Sequence, residues 1–406
     1  LLLKQTLESK NPNQTLLLNG RFVKLGYFKD LIYKKKKENK LRIKLSLKKL
    51  SGKVLGFSAF ANPEIPYGMY HDPYRFFYDL VVDIVFDMED DRYFFDELSF
   101  RLDAYYEINT DSYLEIEIKR KHANIYRIKW SEIEIEGRRS GETEARISFS
   151  NIFNISLNFD DIKDFKEKQK RKEELNNLIN AFSLLNDCLK EEYANITYLG
   201  PLRGEPEREY IYRDEIVEIG NKGENAAYLY LSDRNKPIKN HYFYNKSSDD
   251  FKKTDETDVK QAMNRWFNLM NIKDFEAKIL NKIIYLNLAA SSYDKTQVGI
   301  ADVGFGVSQI FPVILEGLRM DKGSTLLLEQ PEIHLHPNLQ MQLSDYFISL
   351  ALSGKNIIAE THSDHIINRL VRRIVEDEKY HLKDIIGIYF IKPSENGALF
   401  EEVNKV

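Results

Sequence analysis

The chain has 406 residues, a formal net charge of -4, 43% hydrophobic and 30% charged residues, an ordinary soluble composition with ample length for two or three domains and a sizeable core. It has no run of eighteen uncharged apolar residues, so neither a transmembrane helix nor a membrane partner is expected. The single cysteine, Cys188, excludes an internal disulfide and fits a reducing cytoplasm, while the near-neutral balance leaves nucleic acid to local basic patches.

The chain begins at Leu1 rather than methionine, so the sequence is expected to start inside a longer one. Leu1 to Glu8 reads as the tail of a helix, ended by Asn11-Pro12. The basic run Lys34 to Lys37, with Lys40 close by, is either a solvated turn or a DNA contact. Leu41 to Leu50 alternates apolar and basic residues, as a half-exposed strand does. From about Leu80 to Ile135 the alternation repeats, for example in Leu114 to Ile118 and Ile125 to Trp130, with turn residues such as Asn109 to Ser112 between, which predicts a β-meander. The carboxylates Asp83, Asp87, Glu89, Asp90 and Asp91 in it are outward strand and turn residues or, alternatively, a metal site. Asp160 to Tyr193 is charged and helical, with Lys166, Lys168, Lys170, Arg171 and Lys172 on it. Leu175, Leu178, Phe182 and Leu185 form one apolar stripe there, enough for a short arm but too short for a long coiled coil. These readings divide the chain into 1–158, a lobe remainder with the meander; 159–195, a helical arm; and 196–406, where the chemistry-bearing motifs lie.

The strongest motif is Ser324-Thr325-Leu326-Leu327-Leu328-Glu329-Gln330-Pro331-Glu332-Ile333-His334-Leu335-His336-Pro337. A short apolar strand ends in an acid, the position where open α/β sheets place ligand groups. In nucleotide hydrolases such an acid holds magnesium. Pro337 suits a helix start, and Leu339, Leu343, Phe347 and Leu350 follow at helical spacing. A second apolar strand runs into Glu360-Thr361-His362-Ser363-Asp364-His365, and an imidazole just past its end can hydrogen-bond a γ-phosphate oxygen. Upstream, Asp302-Val303-Gly304-Phe305-Gly306-Val307-Ser308-Gln309 puts glycines before a helix, a phosphate-binding device that is weak as a signal on its own. Zinc on His334, His336, His362 and His365 is a rival reading.

The order of these motifs is that of ABC-type ATPases. LLLEQPEIHLHP resembles the Walker B and D-loop segment of the ABC/SMC class in its OLD-like and RecF-like bacterial variant, ETHSDHIINRL its switch-histidine segment, and DVGFGVSQI its signature. Tyr198-Leu199-Gly200-Pro201-Leu202-Arg203, Pro206, Arg208 and Gly223 to Ala226 resemble a subgroup of bacterial AAA/ABC-like ATPases with a C-terminal domain of unknown function, some of them, such as the Septu type, in antiphage defence. The resemblance implies an α/β ABC-type head of mixed sheet and flanking helices, carrying the antiparallel meander and the helical arm. It implies ATP and Mg2+ as cofactors and assigns magnesium to Glu329. Gln330, Glu332 and His362 become the catalytic positions. Gly304, Gly306, Ser308 and Gln309 become the signature that caps ATP held by a partner subunit, with Arg203 and Arg208 as phosphate or DNA contacts, or as structural ion pairs. It further implies a homodimer or a higher even oligomer, a nuclease or other effector as partner, and DNA as a candidate ligand, in defence or repair.

Three features depart from that pattern. No G-x-x-x-x-G-K-[ST] occurs in the chain, and Leu1 to Gln5 resembles the end of the helix that follows a P-loop, so the P-loop is expected before Leu1. Gln330 stands where most such enzymes carry the catalytic glutamate. A glutamine orients water but cannot take its proton. Slow hydrolysis is therefore expected, or Glu332 substitutes. Gly304 stands where the signature usually has serine, which leaves Ser308 to supply the hydroxyl. The rivals are a hydrolysis-poor, nucleotide-gated clamp that regulates a partner nuclease, favoured by Gln330; an OLD-type nuclease, disfavoured because no D-x-D follows Asp364; and a transporter head, disfavoured by the meander.

Overall fold

A computed structural model describes residues 1–9, 15–36, 38–51, 76–89, 92–106, 112–134, 137–149, 155–158, 182–183, 185–212, 218–291, 295–395 and 397–403. It divides the chain into two compact units, Leu1–Ala194 and Asn195–Val406. Of the expected arm, residues 159–181 lie outside the described residues, as do Lys37, Asp90 and Asp91. No helix among the described residues is long and apolar enough to cross a membrane.

The first unit opens with helices α1 (Leu2–Leu7) and α2 (Phe28–Leu31) and is built on one antiparallel sheet. Its strands are β1 (Leu41–Ser51), β2 (Phe76–Glu89), β3 (Arg92–Tyr106), β4 (Ser112–His122), β5 (Ile125–Glu134), β6 (Gly137–Phe149) and β7 (Ile155–Asn158), neighbours in chain order. The expected meander is present and extends beyond its predicted ends. Strand periodicity explains its one-sided core: Leu80, Val82, Ile84 and Phe86 of β2 are buried on alternate positions, as are Ile116 and Ile118 of β4. Register slips between Val85 and Phe86, so Phe86 meets Phe95 while Val85 meets Glu97, and Phe95 and Leu98 both stay inside. Leu3 and Leu7 of α1 and the helical residues Leu185, Cys188 and Leu189 join this core. Burial pushes the Cys188 thiol up to about 12, which keeps it an inert packing group.

The second unit holds a parallel sheet ordered β16, β15, β8, from β8 (Ile196–Leu199), β15 (Thr325–Glu329) and β16 (Asn356–Glu360). Between β8 and β15 come β9 (Tyr210–Ile211), helix α3 (Ala226–Asp233), the hairpin β10 (Pro237–Asn245) and β11 (Asp250–Asp258), helix α4 (Val259–Leu269), strands β12 (Glu276–Leu280), β13 (Ile283–Ala289) and β14 (Gln297–Gly299), and helix α5 (Phe305–Arg319). Helix α6 (Pro337–Leu352) forms the crossover from β15 to β16, and α7 (Asp364–Glu376) follows β16. Pro337 takes the first turn of α6, where its missing N–H costs nothing. Leu343, Phe347 and Leu350 of α6 are buried as the sequence predicts. They share a core with Trp266 of α4, Tyr346, and Ile310 to Leu315 of α5. Pro312 sits inside α5, and Gly223 packs on it so closely that a Cβ there would lie 2.5 Å from the ring. A strand hairpin, β17 (Tyr389–Ser394) and β18 (Gly397–Glu402), closes the described chain.

Candidate functional site

The three parallel strands end at one edge. Glu329 is in register with Glu360, and Leu328 with Leu199. The carboxyl ends of β8, β15 and β16 therefore deliver Gly200, Gln330 and Thr361 side by side, at the edge where α/β sheets bind ligands. Glu329 is half-buried, and its carboxylate accepts a hydrogen bond from the Tyr198 hydroxyl. Burial pushes the Tyr198 phenol up to about 12, and the Glu329 charge beside it pushes the same way. The phenol thus stays protonated and donates.

After Glu329 the backbone turns abruptly. Gln330 has φ 43° and His334 φ 62°, left-handed values that side chains other than glycine rarely adopt and that cost on the order of 1–3 kcal/mol each. Such strain persists only where the surroundings impose it. Here the Gln330 N–H donates to the Glu360 carbonyl at 2.8 Å, and the Leu335 N–H to the Glu332 carbonyl at 3.0 Å. The Gln330 carboxamide makes no hydrogen bond among the described residues.

Arg203 underlies this turn. It is 4% exposed, and its Nη2 donates to the carbonyls of Glu329 at 3.1 Å and Gln330 at 3.5 Å. Burial lowers the guanidinium to about 10, against the opposing pull of Glu332 and Tyr198, so it remains cationic at neutral pH. Its Nε and Nη1 are buried with no protein partner. Glu332 joins two loops: its Oε1 accepts the His362 N–H at 2.7 Å, while its Oε2 is buried without a partner. The His362 ring projects outward, 74% exposed, with Nε2 3.4 Å from Glu360 Oε1. Ser363, the next residue, caps α7 by accepting the Ile366 N–H at 3.1 Å and donates its hydroxyl to Gln340.

Helix α5 starts inside the glycine motif rather than after it. Gly304 has φ 87° and lies in open space, the conformation that favours glycine. Gly306 is seated against the His334 carbonyl, 3.2 Å from where a Cβ would be, and the Phe305 ring, 51% exposed, lies 5.8 Å from the His334 ring. Ser308 and Gln309 face inward. The Ser308 hydroxyl donates to the Phe305 carbonyl at 2.8 Å, and Gln309 Nε2 to the Gly204 carbonyl at 3.3 Å. The expected presentation of the Ser308 hydroxyl is thus not what this helix does, because starting at Phe305 turns that position toward the core. Gly304 and Phe305 carry the exposed surface instead. Arg208 pairs with Asp302 at 2.6 Å, one of the two roles open to it from sequence.

The zinc reading fails among the described residues, where no three His, Cys, Asp or Glu side chains converge. His336 caps α6, its Nδ1 accepting the Asn338 N–H at 3.3 Å. The meander acids are ion-paired: Asp83 with Arg42, Asp87 with Lys40 and Glu89 with Arg120. The sequence reading assigned no role to Glu360 or Phe305. Glu360 had a signal, since it ends its strand as Glu329 does. Phe305 had none beyond lying between two glycines.

Residues 8–367 match the family model described as AAA ATPase domain. No curated protein matches the chain. Among solved structures, one from work on the structural biochemistry of ATP-driven dimerization and DNA stimulated activation of SMC ATPases is similar at 10% identity and a TM-score of 0.28, over 36% of this chain and 84% of that one. With the family model spanning both units and every motif of the strand-end site, the chain belongs to the AAA ATPase domain family.

Proposed function

We propose that this ATPase works as an ABC/SMC-like head that dimerises around ATP, or assembles as a higher even oligomer, and so controls a DNA-directed effector such as a nuclease in bacterial antiphage defence or repair. The observation that supports the reading best is the strand-end edge. An acid closes the central strand, an exposed imidazole follows the neighbouring strand, and Glu332 ties the two loops together. The residues fit Mg2+-ATP in part. Magnesium needs only one or two carboxylates besides phosphate oxygens and water, and Glu329 supplies one. Three buried polar atoms of Arg203 and Glu332 find no protein partner there, the condition under which a bound polar group is expected. No glycine-rich phosphate cradle of the P-loop type is present in the sequence.

ATP, when bound, supplies the phosphoanhydride whose γ-phosphoryl is cleaved. Glu329 would hold the metal, His362 would face the γ-phosphate from its exposed position, and the unengaged Gln330 carboxamide would orient water. Glu332 holds the two loops in register through one oxygen, and its other oxygen is left to act as base where Gln330 cannot. The partner-facing signature acts through the backbone N–H groups at Gly304 to Gly306, with the Ser308 and Gln309 side chains bracing the helix behind them.

A second reading, a nucleotide-gated clamp that scarcely hydrolyses ATP, is favoured by Gln330, which cannot accept a proton. Turnover by the protein separates the two. Hydrolysis that is lost in Glu329→Ala and His362→Ala supports the enzyme. Binding without turnover, with hydrolysis gained in Gln330→Glu, supports the clamp. Absence of both binding and turnover would overturn each.

A further inference from the structure

Between the hairpin β10–β11 and helix α4 lies an open groove of about 950 Å3. Helix α4 lines it with Lys260, Asn264 and Asn268, each four residues after the last, so they form one ridge along the helix, about 6 Å apart. Arg265 stands beside them, and the loop after α3 and the hairpin turn add Asn235 and Lys246.

The groove carries an excess of positive charge. Nearby lysines elsewhere on the unit have acids, Lys236 with Asp233 and Lys379 with Asp250. Among the described residues, Lys246, Lys260 and Arg265 have none within ion-pair distance. The one carboxylate in the lining, Asp258, caps α4 by accepting the Gln261 N–H at 2.7 Å. The Arg265 guanidinium is not loose either: it lies 4.0 Å over the Phe243 ring, a cation–π contact, and its Nη1 donates to Thr254 Oγ1 at 3.5 Å. The side-chain amides of Asn235, Asn264 and Asn268 make no hydrogen bond among the described residues, and each offers two donors and an acceptor.

That chemistry selects among partners. A protein interface is anchored by apolar and aromatic side chains in its centre. Here the apolar lining is Leu269 and a Tyr244 ring that is 8% exposed. Nucleic-acid interfaces are polar and positively charged. The groove is open, and its free carboxamides match the base edges that a single strand leaves unpaired and a duplex does not. We propose that it binds single-stranded nucleic acid, with Lys246, Lys260 and Arg265 on phosphates and the three asparagines on base edges. The proposal does not depend on the ATP site.

The test is fluorescence anisotropy of the full chain with a labelled single-stranded DNA 12-mer of mixed sequence, titrated at several salt concentrations. Binding is expected with a strong salt dependence. The double variant Lys246→Ala/Lys260→Ala is expected to bind more than about tenfold more weakly at low salt, and to lower the slope of log K against log salt by about 1.4, or 0.7 for each lost phosphate contact. Asn264→Ala/Asn268→Ala is expected to weaken binding at least about threefold without changing that slope. Circular-dichroism melts that match wild type keep the variants interpretable, as all four side chains lie at the surface. Absence of binding overturns the proposal, as does binding indifferent to the lysine pair. So does a 12-bp duplex bound as tightly as the strand, or polyglutamate bound where the strand is not.

Discussion

The two units treat negative charge in opposite ways. On the meander the acids face cations across the strands: Asp83 pairs with Arg42, Asp87 and Asp96 share Lys40, and Glu89 meets Arg120. Such exposed cross-strand pairs are cheap to form and contribute little, and they suit a sheet whose outer face needs only water. At the strand ends of the second unit Glu329, Glu332 and Glu360 form no ion pair with lysine or arginine among the described residues. A phenol, a backbone N–H and an exposed imidazole serve them instead. A phenol and a backbone N–H orient a carboxylate without cancelling its charge. The contrast separates acids that decorate a sheet from acids that, under the proposed ATPase reading, serve a ligand.

The largest expected effect breaks or upholds that contrast directly. Glu329→Gln keeps an acceptor for Tyr198 and removes the charge. Under the ATPase reading it reduces turnover by about a hundredfold or more, the scale for losing one electrostatic contributor at a reacting phosphate, with little change in melting temperature. Turnover within a few-fold of wild type would place Glu329 among the decorating acids. Next comes Arg203→Met. The variant frees two carbonyls of the strained turn and removes the buried cation whose charge is coupled to Glu332, so a loss of about 3 kcal/mol is expected in urea unfolding, together with lower turnover. Unchanged stability would mean that the turn at Gln330 holds itself without the guanidinium.

How much of this was legible in the sequence follows the same line. Strands β15 and β16, the helix beginning at Pro337 and the alternation of β2 to β5 are local patterns, and residues a few positions apart declare them. The acid at the end of β15 and the histidine past β16 were legible for the same reason. What could not be read joins residues far apart in the chain: Arg203 beneath Glu329 and Gln330, Glu332 on the His362 N–H, and Arg42 across from Asp83. The inward turn of Ser308 hung on where α5 begins, and helix boundaries are the least legible feature of a sequence. Gln330 and His334 gave no sign of left-handed backbone, because neither is glycine. Tertiary contacts impose that conformation.

Histidines show the contrast within the second unit. His362 is exposed at the strand ends, whereas His241 is fully buried, with the Trp266 indole N–H donating to its Nε2 at 3.3 Å and Ser353 Oγ 3.2 Å from its Nδ1. An indole only donates, so Nε2 must accept and the ring must be neutral. Burial, with Lys355 and Arg265 nearby, lowers His241 to about 3. In the unfolded chain it titrates near 6.5. The unfolded state therefore takes up the proton first, and the contribution is complete above about pH 6.5 and lost as pH falls toward 3. Between pH 6.5 and 4.5 it amounts to about 2 kcal/mol. Urea unfolding of wild type and His241→Leu against pH is expected to show a shallower decline for the variant across that window. Parallel curves would mean that His241 titrates normally in the fold.

The smallest effect tests the other side of the comparison. Asp83→Asn removes the carboxylate that Arg42 grips through two hydrogen bonds, from Nε at 2.8 Å and Nη2 at 2.5 Å. The geometry is good, and Arg42 holds the Asp83 carboxyl below its ordinary value. However, the arginine is 68% exposed. Water and salt screen the pair, and fixing a long side chain in one rotamer offsets much of what remains. The amide still packs on the same strand position beside Lys44 and can accept one of the two hydrogen bonds. No resolvable change in melting temperature is expected at physiological salt, and only a slight one at low salt. A loss as large as that of Arg203→Met would show that the outer face of the meander depends on its ion pairs as the strand-end turn depends on Arg203. The two kinds of acid would then differ in position alone.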